Sequence, residues 1–328
     1  MARVVVTGGS GFVGGHLVRC LLDRGDEVTV FDTGRVSAGR RCLPEEVRHV
    51  TGDIRDESAL ARAITPDVDV VYHLAALVGV QYYLHRPLDV IDINFHGTVN
   101  LLQAAERAGS KVVFASSSEV FGKNPAVPWA EDDDRVTGST ATNRWCYSTS
   151  KALAEHVTFG YVHQRGLRAS IIRYFNLYGP WQRPAFLVSR SIHRALRGIP
   201  PVVYDGGHQT RSFTFIDDAV EATAAIGASE KSDGEAFNVG ATQEVTIGQV
   251  VEHIADLAGL REPTEQLDTN TRYGNSYQDL QKRIPDTSKI HAILGWRATT
   301  GLRDGLRATV EWARRHPWWL DLPDNVNP

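Results

Sequence analysis

The first half of the chain consists of short, nearly continuous apolar runs separated by longer runs of helical period. Val4-Val5-Val6, Glu27 to Phe31, Val47 to Val50, Asp69 to Ala76 and Lys111 to Ser116 are rich in β-branched residues and have the length of strands buried on both faces. Between them, His16 to Leu22 and Asp92 to Ala108 are amphipathic, with Asn94 on one side of the second run; both predict helices. Strands alternating with helices, with no internal repeat or low-complexity segment, predict an α/β protein on a doubly wound parallel sheet. Ligands of such sheets bind at the carboxyl ends of the strands, so the residues that follow each strand are where chemistry is expected.

The later pattern is less regular. Ile171 to Pro180 predicts a strand and a turn, Leu187 to Leu196 a helix bearing Arg190, and Val202 to Phe213 a hairpin-like run with a central glycine turn. Phe215-Ile216-Asp217-Asp218 caps a helix, and Phe237 to Gly240 predicts another strand. Glu131-Asp132-Asp133-Asp134 reads as a solvated loop.

Bulk properties narrow the class. With 328 residues, 42% hydrophobic and 23% charged, the chain can build one large core or two fused domains. A net charge of −4 provides no basic field for nucleic acid. No apolar run is long enough to span a bilayer, and Met1-Ala2-Arg3 leads directly into the first strand, so a cytoplasmic protein without membrane contact is expected. Cys20, Cys42 and Cys146 have neither metal spacing nor the look of a disulfide framework, and the histidines form no ligand pattern; no metal is expected.

The first strand runs into glycines at 8, 11 and 14, with Phe12 and Val13 between them, and then into a helix. This strand–glycine turn–helix unit suits a dinucleotide: the backbone approaches the pyrophosphate, and the helix N-terminus offers free N–H groups. Asp32 ends the second strand, where a carboxylate accepts from ribose hydroxyls and repels a 2′-phosphate. NAD is thereby favoured over NADP, although Arg35, Arg40 and Arg41 follow. Asp53-Ile54 suits adenine, the carboxylate meeting the exocyclic amine and the aliphatic chain packing on the ring; a turn aspartate is the other reading. Leu74-Ala75-Ala76 ends a strand in small residues that let backbone approach a cofactor. Tyr147 and Lys151 stand four apart on one helical face. An ammonium beside a phenol lowers its pKa, and such a tyrosine exchanges a proton with a carbinol while a nicotinamide exchanges a hydride.

Together, Gly8/Gly11/Gly14, Asp53-Ile54, His73-Leu74-Ala75-Ala76, the Ser117 region and Tyr147/Lys151 resemble the extended short-chain dehydrogenase/reductase superfamily, and within it the nucleotide-sugar epimerase/dehydratase/decarboxylase branch. The resemblance runs from about Arg3 to about Trp312. It implies a Rossmann domain over 1–173 with a return near 213–240, a smaller α/β lobe over 174–212 and 241–328 that binds a nucleoside-diphosphate sugar, and a homodimer formed through helices such as that of Tyr147 and Lys151. It also implies substrate contacts from Asn176, Arg190, Tyr204 and Arg211.

Two places discriminate within the branch. The 4,6-dehydratases carry an Asp–Glu pair where this chain has Ser118-Glu119, after Ser117; a Ser–Glu pair resembles the nucleoside-diphosphate-glucuronate decarboxylases. The stretch from Arg272 to Pro285 resembles the C-terminal segment of bacterial UDP-glucuronate decarboxylases, which implies Tyr273 as a base platform, Tyr277 as a further substrate contact and Arg283 as the active-site arginine. Trp129 and Trp181 have no counterpart in that comparison. The expected activity is NAD-dependent decarboxylation of a nucleoside-diphosphate hexuronate, UDP-glucuronate first, through a 4-keto intermediate, giving a UDP-pentose or a 4-keto-pentose. The alternatives are a 4-epimerase or 4,6-dehydratase on the same fold, or a non-catalytic NAD-binding scaffold.

Overall fold

The computed structural model describes residues 1–34, 43–45, 47–262, 264–269, 271, 278 and 280–323; Arg35, Arg40, Arg41, Cys42, Tyr273 and Tyr277 lie outside the described residues. Strand β1 (Arg3–Thr7) sets the architecture. Val4 and Val6 enter one core with Leu17, Leu21 and Ile216, and Val5 enters another with Leu60, Leu101 and Ala154. Successive strand residues face opposite ways, so an unbroken valine run suits a sheet covered on both sides.

The chain continues through α1 (Phe12–Asp23), β2 (Glu27–Asp32), β3 (Arg48–Thr51), α2 (Glu57–Ala63), β4 (Val70–His73), α3 (Val80–His85), α4 (Pro87–Ile91), α5 (Gly97–Ala108), β5 (Lys111–Ser117), α6 (Arg144–Arg165) and β6 (Ala169–Tyr174). Beyond it come β7 (Leu177–Tyr178), α7 (Leu187–Leu196), β8 (Val202–Tyr204), β9 (Thr210–Arg211), β10 (Thr214–Phe215), α8 (Ile216–Ala228) and β11 (Ala236–Val239). The described chain then adds β12 (Val245–Thr246), α9 (Ile247–Ala258), β13 (Glu265–Leu267), β14 (Lys282–Arg283), α10 (Ser288–Leu294), α11 (Leu302–Arg314) and α12 (Pro317–Leu320).

The central sheet has seven strands in the order β3-β2-β1-β4-β5-β6-β11, all parallel. Its order reverses between β1 and β4, which opens the crevice where doubly wound sheets hold ligands. The helix expected over 16–22 starts earlier, at Phe12, because the glycine turn leads straight into it. The helix expected over 92–108 contains a five-residue π-helical segment, Asp92–His96, around Asn94. Asn94 Oδ1 accepts from the Leu77 N–H at 2.8 Å, tying that bulge to the segment after β4. Local signals set several ends: Gly109 and Gly166 close α5 and α6 in left-handed conformation, and Thr246 with Gln249 forms a capping box at α9.

Two expectations are corrected. The hairpin over 202–213 does not form: β8 pairs in parallel with β13, whereas β9 pairs with β12 and β14. Gly206 and Gly207 both take left-handed φ, 72° and 69°, and Gly207 seats against Gly248, where a Cβ would lie 2.9 Å from the Gly248 nitrogen. The chain therefore turns against the start of α9 and does not fold back on β8. Glu131 is not solvated either. It is buried, its Oε1 accepts from the Asn238 N–H at 2.7 Å, and burial raises its carboxyl above the ordinary range; the following aspartates remain on the surface side. Among the described residues, no helix is long and apolar enough to cross a membrane.

Candidate active site

The glycine turn packs against the end of β4. Gly8 has φ 70°, and a Cβ on it would lie 2.8 Å from the Ala75 nitrogen, so a side chain is excluded by both conformation and space. A Cβ on Gly14 would overlap the Gly8 carbonyl oxygen. Among the described residues no side chain caps the first turn of α1 at Gly11, which leaves the N–H groups at Phe12, Val13 and Gly14 for an anion. Asp32 Oδ2 accepts from the Ser10 N–H at 3.1 Å, placing this carboxylate beside the turn. Beneath it, His73 joins Thr7 Oγ1 at 2.9 Å and Thr98 Oγ1 at 3.0 Å, and Thr7 Oγ1 accepts from the Ala75 N–H at 3.3 Å. Burial, and secondly the Lys151 charge, hold His73 neutral, with its pKa down at about 3. A backbone cradle, an uncapped helix start and a strand-end carboxylate fit a dinucleotide.

Other expected cofactor residues stand differently. Asp53 is engaged by Arg55, whose Nη2 lies 2.7 Å from Oδ2, and Arg55 also reaches Asp92 at 2.7 Å. The hydrogen bond from Arg55 holds the Asp53 carboxyl below the usual range. Ile54 is buried against Gly97, where no Cβ would fit.

The residues expected to carry the chemistry converge from three elements: the end of β5, the first turns of α6, and β14. Ser117 caps the short 3₁₀ turn Ser118–Phe121, accepting from the Glu119 N–H at 3.2 Å. Ser118 is 1% exposed, and its Oγ has no hydrogen-bond partner among the described residues. On α6, Arg144, Tyr147 and Lys151 stand at i, i+3 and i+7, so one helical face presents all three; all are buried. Ser148 Oγ fixes the Glu119 carbonyl at 2.6 Å.

Arg283 arrives from the far end of the chain and is held on both sides. β14 pairs with β9, and the residues after it pair with Trp129, whose N–H donates to the Ile284 carbonyl at 2.9 Å and whose carbonyl accepts from the Asp286 N–H at 2.8 Å. Trp129 is itself buried and stacks on Phe121, with ring centroids 5.0 Å apart. A tryptophan without a sequence counterpart is thus the brace for the segment that delivers Arg283.

Glu119 is the electrostatic centre. Arg283 Nη2 lies 2.5 Å from its Oε1, and Arg144 Nη2 lies 2.7 Å from its Oε2 and 3.0 Å from its Oε1. Burial alone would raise this carboxyl; the two guanidinium groups outweigh burial and hold it down at about 2. Tyr147 is shifted the other way. Burial first, then the Glu119 charge, push its phenol up, while a hydrogen bond with Ser117 and the charges of Arg283 and Arg144 pull it down. Lys151 differs from its sequence reading: its Nζ donates to the Ala115 carbonyl at 2.7 Å and lies 4.8 Å from the Phe114 ring centre. Burial, only partly offset by Glu155, lowers the ammonium to about 7.

The expected substrate contacts lie on the second region. Asn176 has a left-handed φ of 35°, and its Nδ2 donates to the Ser212 carbonyl at 2.9 Å. Arg190 lies 5.9 Å from the Tyr204 ring centre. Arg211 is buried and donates to the Thr210 carbonyl at 2.8 Å. Tyr273 and Tyr277 lie outside the described residues. The sequence reading missed Arg144, which is not singled out because an arginine at the start of a helix usually faces water. It also missed the pair of Arg173 with Glu155, 2.7 Å apart, in which Glu155 Oε1 also accepts from Ser116 Oγ at 2.5 Å.

A seven-stranded doubly wound sheet, a dinucleotide cradle and a Tyr/Lys helix beside it define an NAD-dependent nucleotide-sugar enzyme with a Rossmann fold. Residues 4–240 match the model of the NAD dependent epimerase/dehydratase family, and the chain belongs to that family. It is 37% identical to a UDP-N-acetyl-alpha-D-glucosaminuronate decarboxylase of Bacillus cytotoxicus, over 95% of this chain and 98% of the relative. It is 34% identical to UDP-glucuronic acid decarboxylase 1 of Arabidopsis thaliana, over 94% of this chain and 69% of the relative. Among solved structures, MoeE5 in complex with UDP-glucuronic acid and NAD superposes with a TM-score of 0.84 at 32% identity, over 95% of this chain and 99% of that one.

Proposed function

We propose that the protein oxidises C4 of a nucleoside-diphosphate hexuronate, UDP-glucuronate or its 2-acetamido counterpart, and releases the C5 carboxyl group as CO2. One observation carries the reading: Glu119 is held ionised between Arg144 and Arg283, next to a serine at 118. A 4,6-dehydratase needs an acid to expel the C6 hydroxyl. A serine and a carboxylate clamped by two cations are poor proton donors for that step, whereas Arg283 suits a sugar carboxylate. The named activities of the relatives at 37% and 34% identity support the same reaction.

In this reading Gly8, Gly11, Phe12, Val13, Gly14 and Asp32 hold NAD, together with the segments at Asp53-Ile54 and Leu74-Ala75-Ala76. When bound there, NAD would supply the hydride acceptor for C4. Tyr147 Oη takes the C4 hydroxyl proton, with Lys151 beside the same crevice. The sugar is then a β-keto acid. As the bond from C5 to the carboxyl carbon breaks, its electron pair passes into the C4 ketone as an enolate, and CO2 leaves. C5 then takes up a proton as the ketone re-forms, and the hydride would either return to C4, giving a nucleoside-diphosphate pentose, or leave with the reduced cofactor, giving the 4-keto-pentose. Tyr147 O–H and Ser117 O–H stabilise that oxygen, Ser118 shapes the same wall, and Arg283 orients the carboxylate. Asn176, Arg190, Tyr204 and Arg211, with Tyr273 and Tyr277, bind the nucleotide diphosphate. Residues 1–173 with 213–240 form the cofactor-binding part, and 174–212 with 241–328 form the substrate lobe; β11 completing the central sheet supports this division.

Incubation with NAD and either UDP-glucuronate or UDP-N-acetylglucosaminuronate is expected to yield a nucleotide sugar lighter by one CO2 where the hydride returns to C4, or by CO2 and two hydrogens where the 4-keto sugar is released. A product of unchanged mass with inverted C4 would overturn the reading in favour of a 4-epimerase.

A cytoplasmic location suits these substrates, and a homodimer is proposed through α4 and α6. Exposed apolar side chains on and beside these helices support it: Leu88, 80% exposed, with Ile91 and Leu153. Leu88→Glu with Leu153→Glu is expected to halve the mass measured by sedimentation, and a wild-type monomer would remove the dimer.

A further inference from the structure

We propose that Arg144 is a positioning residue for the carboxylate of the uronate, acting through Glu119 to leave the charge of Arg283 partly uncompensated and to set its aim. The inference rests on the functional reading above and goes beyond it by assigning a role to a residue that does not itself meet the substrate.

Arg144 is 1% exposed and lies behind Glu119. Its guanidinium is held against two rings, 5.4 Å from the centre of Tyr83 and 5.3 Å from that of Trp145, and Tyr83 in turn stands 5.9 Å from the Tyr147 ring. Glu119 is fixed at its backbone by Ser117 and Ser148 and at its carboxylate by Arg144. What remains for Arg283 is a share of one oxygen, Oε1. Arg283 Nε is buried and has no hydrogen-bond partner among the described residues. A buried donor left in this way, on a group whose main partner is already shared, calls for an acceptor from a ligand.

Charge points the same way. Two arginines share one carboxylate, so the cluster carries an excess positive charge in a place where charges must be compensated. A sugar carboxylate at Arg283 completes it, and a neutral hydroxymethyl group does not. Without Arg144, Glu119 and Arg283 become a self-sufficient pair: the carboxylate offers both oxygens to Arg283, and the field that favours a uronate over a hexose disappears although Arg283 is still present. A residue that only supported the fold would weaken both sugars alike.

The test uses full-length protein with NAD in a Tyr147→Phe background, so that bound sugars are not turned over. Calorimetric titration compares UDP-glucuronate with UDP-glucose, and UDP-N-acetylglucosaminuronate with UDP-N-acetylglucosamine. Arg144→Met is expected to lower the preference for the acidic sugar about 10- to 100-fold, the scale of the coupling between residues of one salt-bridge network. Affinity for the neutral sugar is expected to stay within about threefold, as a change confined to the charged pocket requires. Arg283→Met is expected to do the same, and the double variant no worse than Arg283→Met, because both act on one interaction. Arg144→Lys, which keeps the charge and loses the fork, is expected to recover part of the preference, and it serves as the reading if Arg144→Met melts early. Retention of the preference in Arg144→Met alongside its loss in Arg283→Met overturns the role of Arg144; so does an equal loss for acidic and neutral sugars. A parent protein with no preference for either acidic sugar overturns the decarboxylase reading itself, and the inference with it.

Discussion

Tyr147→Phe is expected to lower turnover about 10²- to 10⁴-fold, the usual worth of a positioned proton acceptor, while NAD stays bound. The substitution removes one oxygen and keeps the ring that packs 5.9 Å from Tyr83, so the helix face and its neighbours should persist. The oxygen lost is the one group on α6 that combines burial with a hydrogen bond to Ser117. Burial keeps the phenol protonated in the free protein, against the pull of Arg283 and Arg144. On the proposed reading Tyr147 must therefore first lose its own proton to solvent and take the C4 proton as the phenolate, and the local field decides how readily it ionises. Reduced-nicotinamide absorbance, CO2 release and bound NAD, measured together, separate the outcomes. Loss of the first two with the third intact is the expected pattern. Turnover near the parent rate would mean that another group takes the C4 proton.

The parallel sheet and the dinucleotide turn were legible because each rests on a local rule. Valines at 4, 5 and 6 need two covered faces, and a glycine at 8 needs a left-handed φ; both requirements act within a few residues. The course of 202–213 was not legible, because β8 and β9 choose partners 34 or more residues away, at β13, β12 and β14, and a glycine pair reads the same whether the chain folds back or departs. Glu131 failed for a similar reason. Three aspartates follow it, and only the approach of β11, with its free Asn238 N–H, makes one member of the acidic run an interior group. At the site, Tyr147 and Lys151 stood out by type and spacing, and Ser117 and Glu119 through the family resemblance. Their electrostatics did not, since the state of Glu119 is decided by Arg283, 164 positions away. Arg144 was hidden for a simpler reason: an arginine at the start of a helix ordinarily faces water, and the rings of Tyr83 and Trp145 that enclose it come into view only with the packing.

Arg283→Ala is expected to separate the two halves of the reaction. Tyr147, Ser117, Lys151 and the glycine cradle keep their places, and Glu119 keeps its partner Arg144 at 2.7 Å, so the carboxylate stays paired and the 3₁₀ turn stays in place. Loss of the Arg283 charge makes the Tyr147 phenol harder to ionise, so C4 oxidation should continue at a reduced rate and lose less than CO2 release does. Loss of CO2 needs more: the bond to the carboxyl carbon must stand across the plane of the C4 ketone for its electrons to enter the carbonyl. Arg283 is the cation placed to fix that rotation and to favour the negative oxygen that develops. Removing one such preorganised contact costs about 10²- to 10³-fold. CO2 release should fall by that factor while 4-keto sugar and reduced nicotinamide accumulate in the first turnover, which quenched-flow mass spectrometry resolves. Arg283→Lys should restore little, because a point charge replaces a planar fork in a site that aligns a planar carboxylate. Equal loss of oxidation and CO2 release would make Arg283 a general binding residue, and undiminished CO2 release would remove it from the chemistry and return the function to the wider epimerase/dehydratase class.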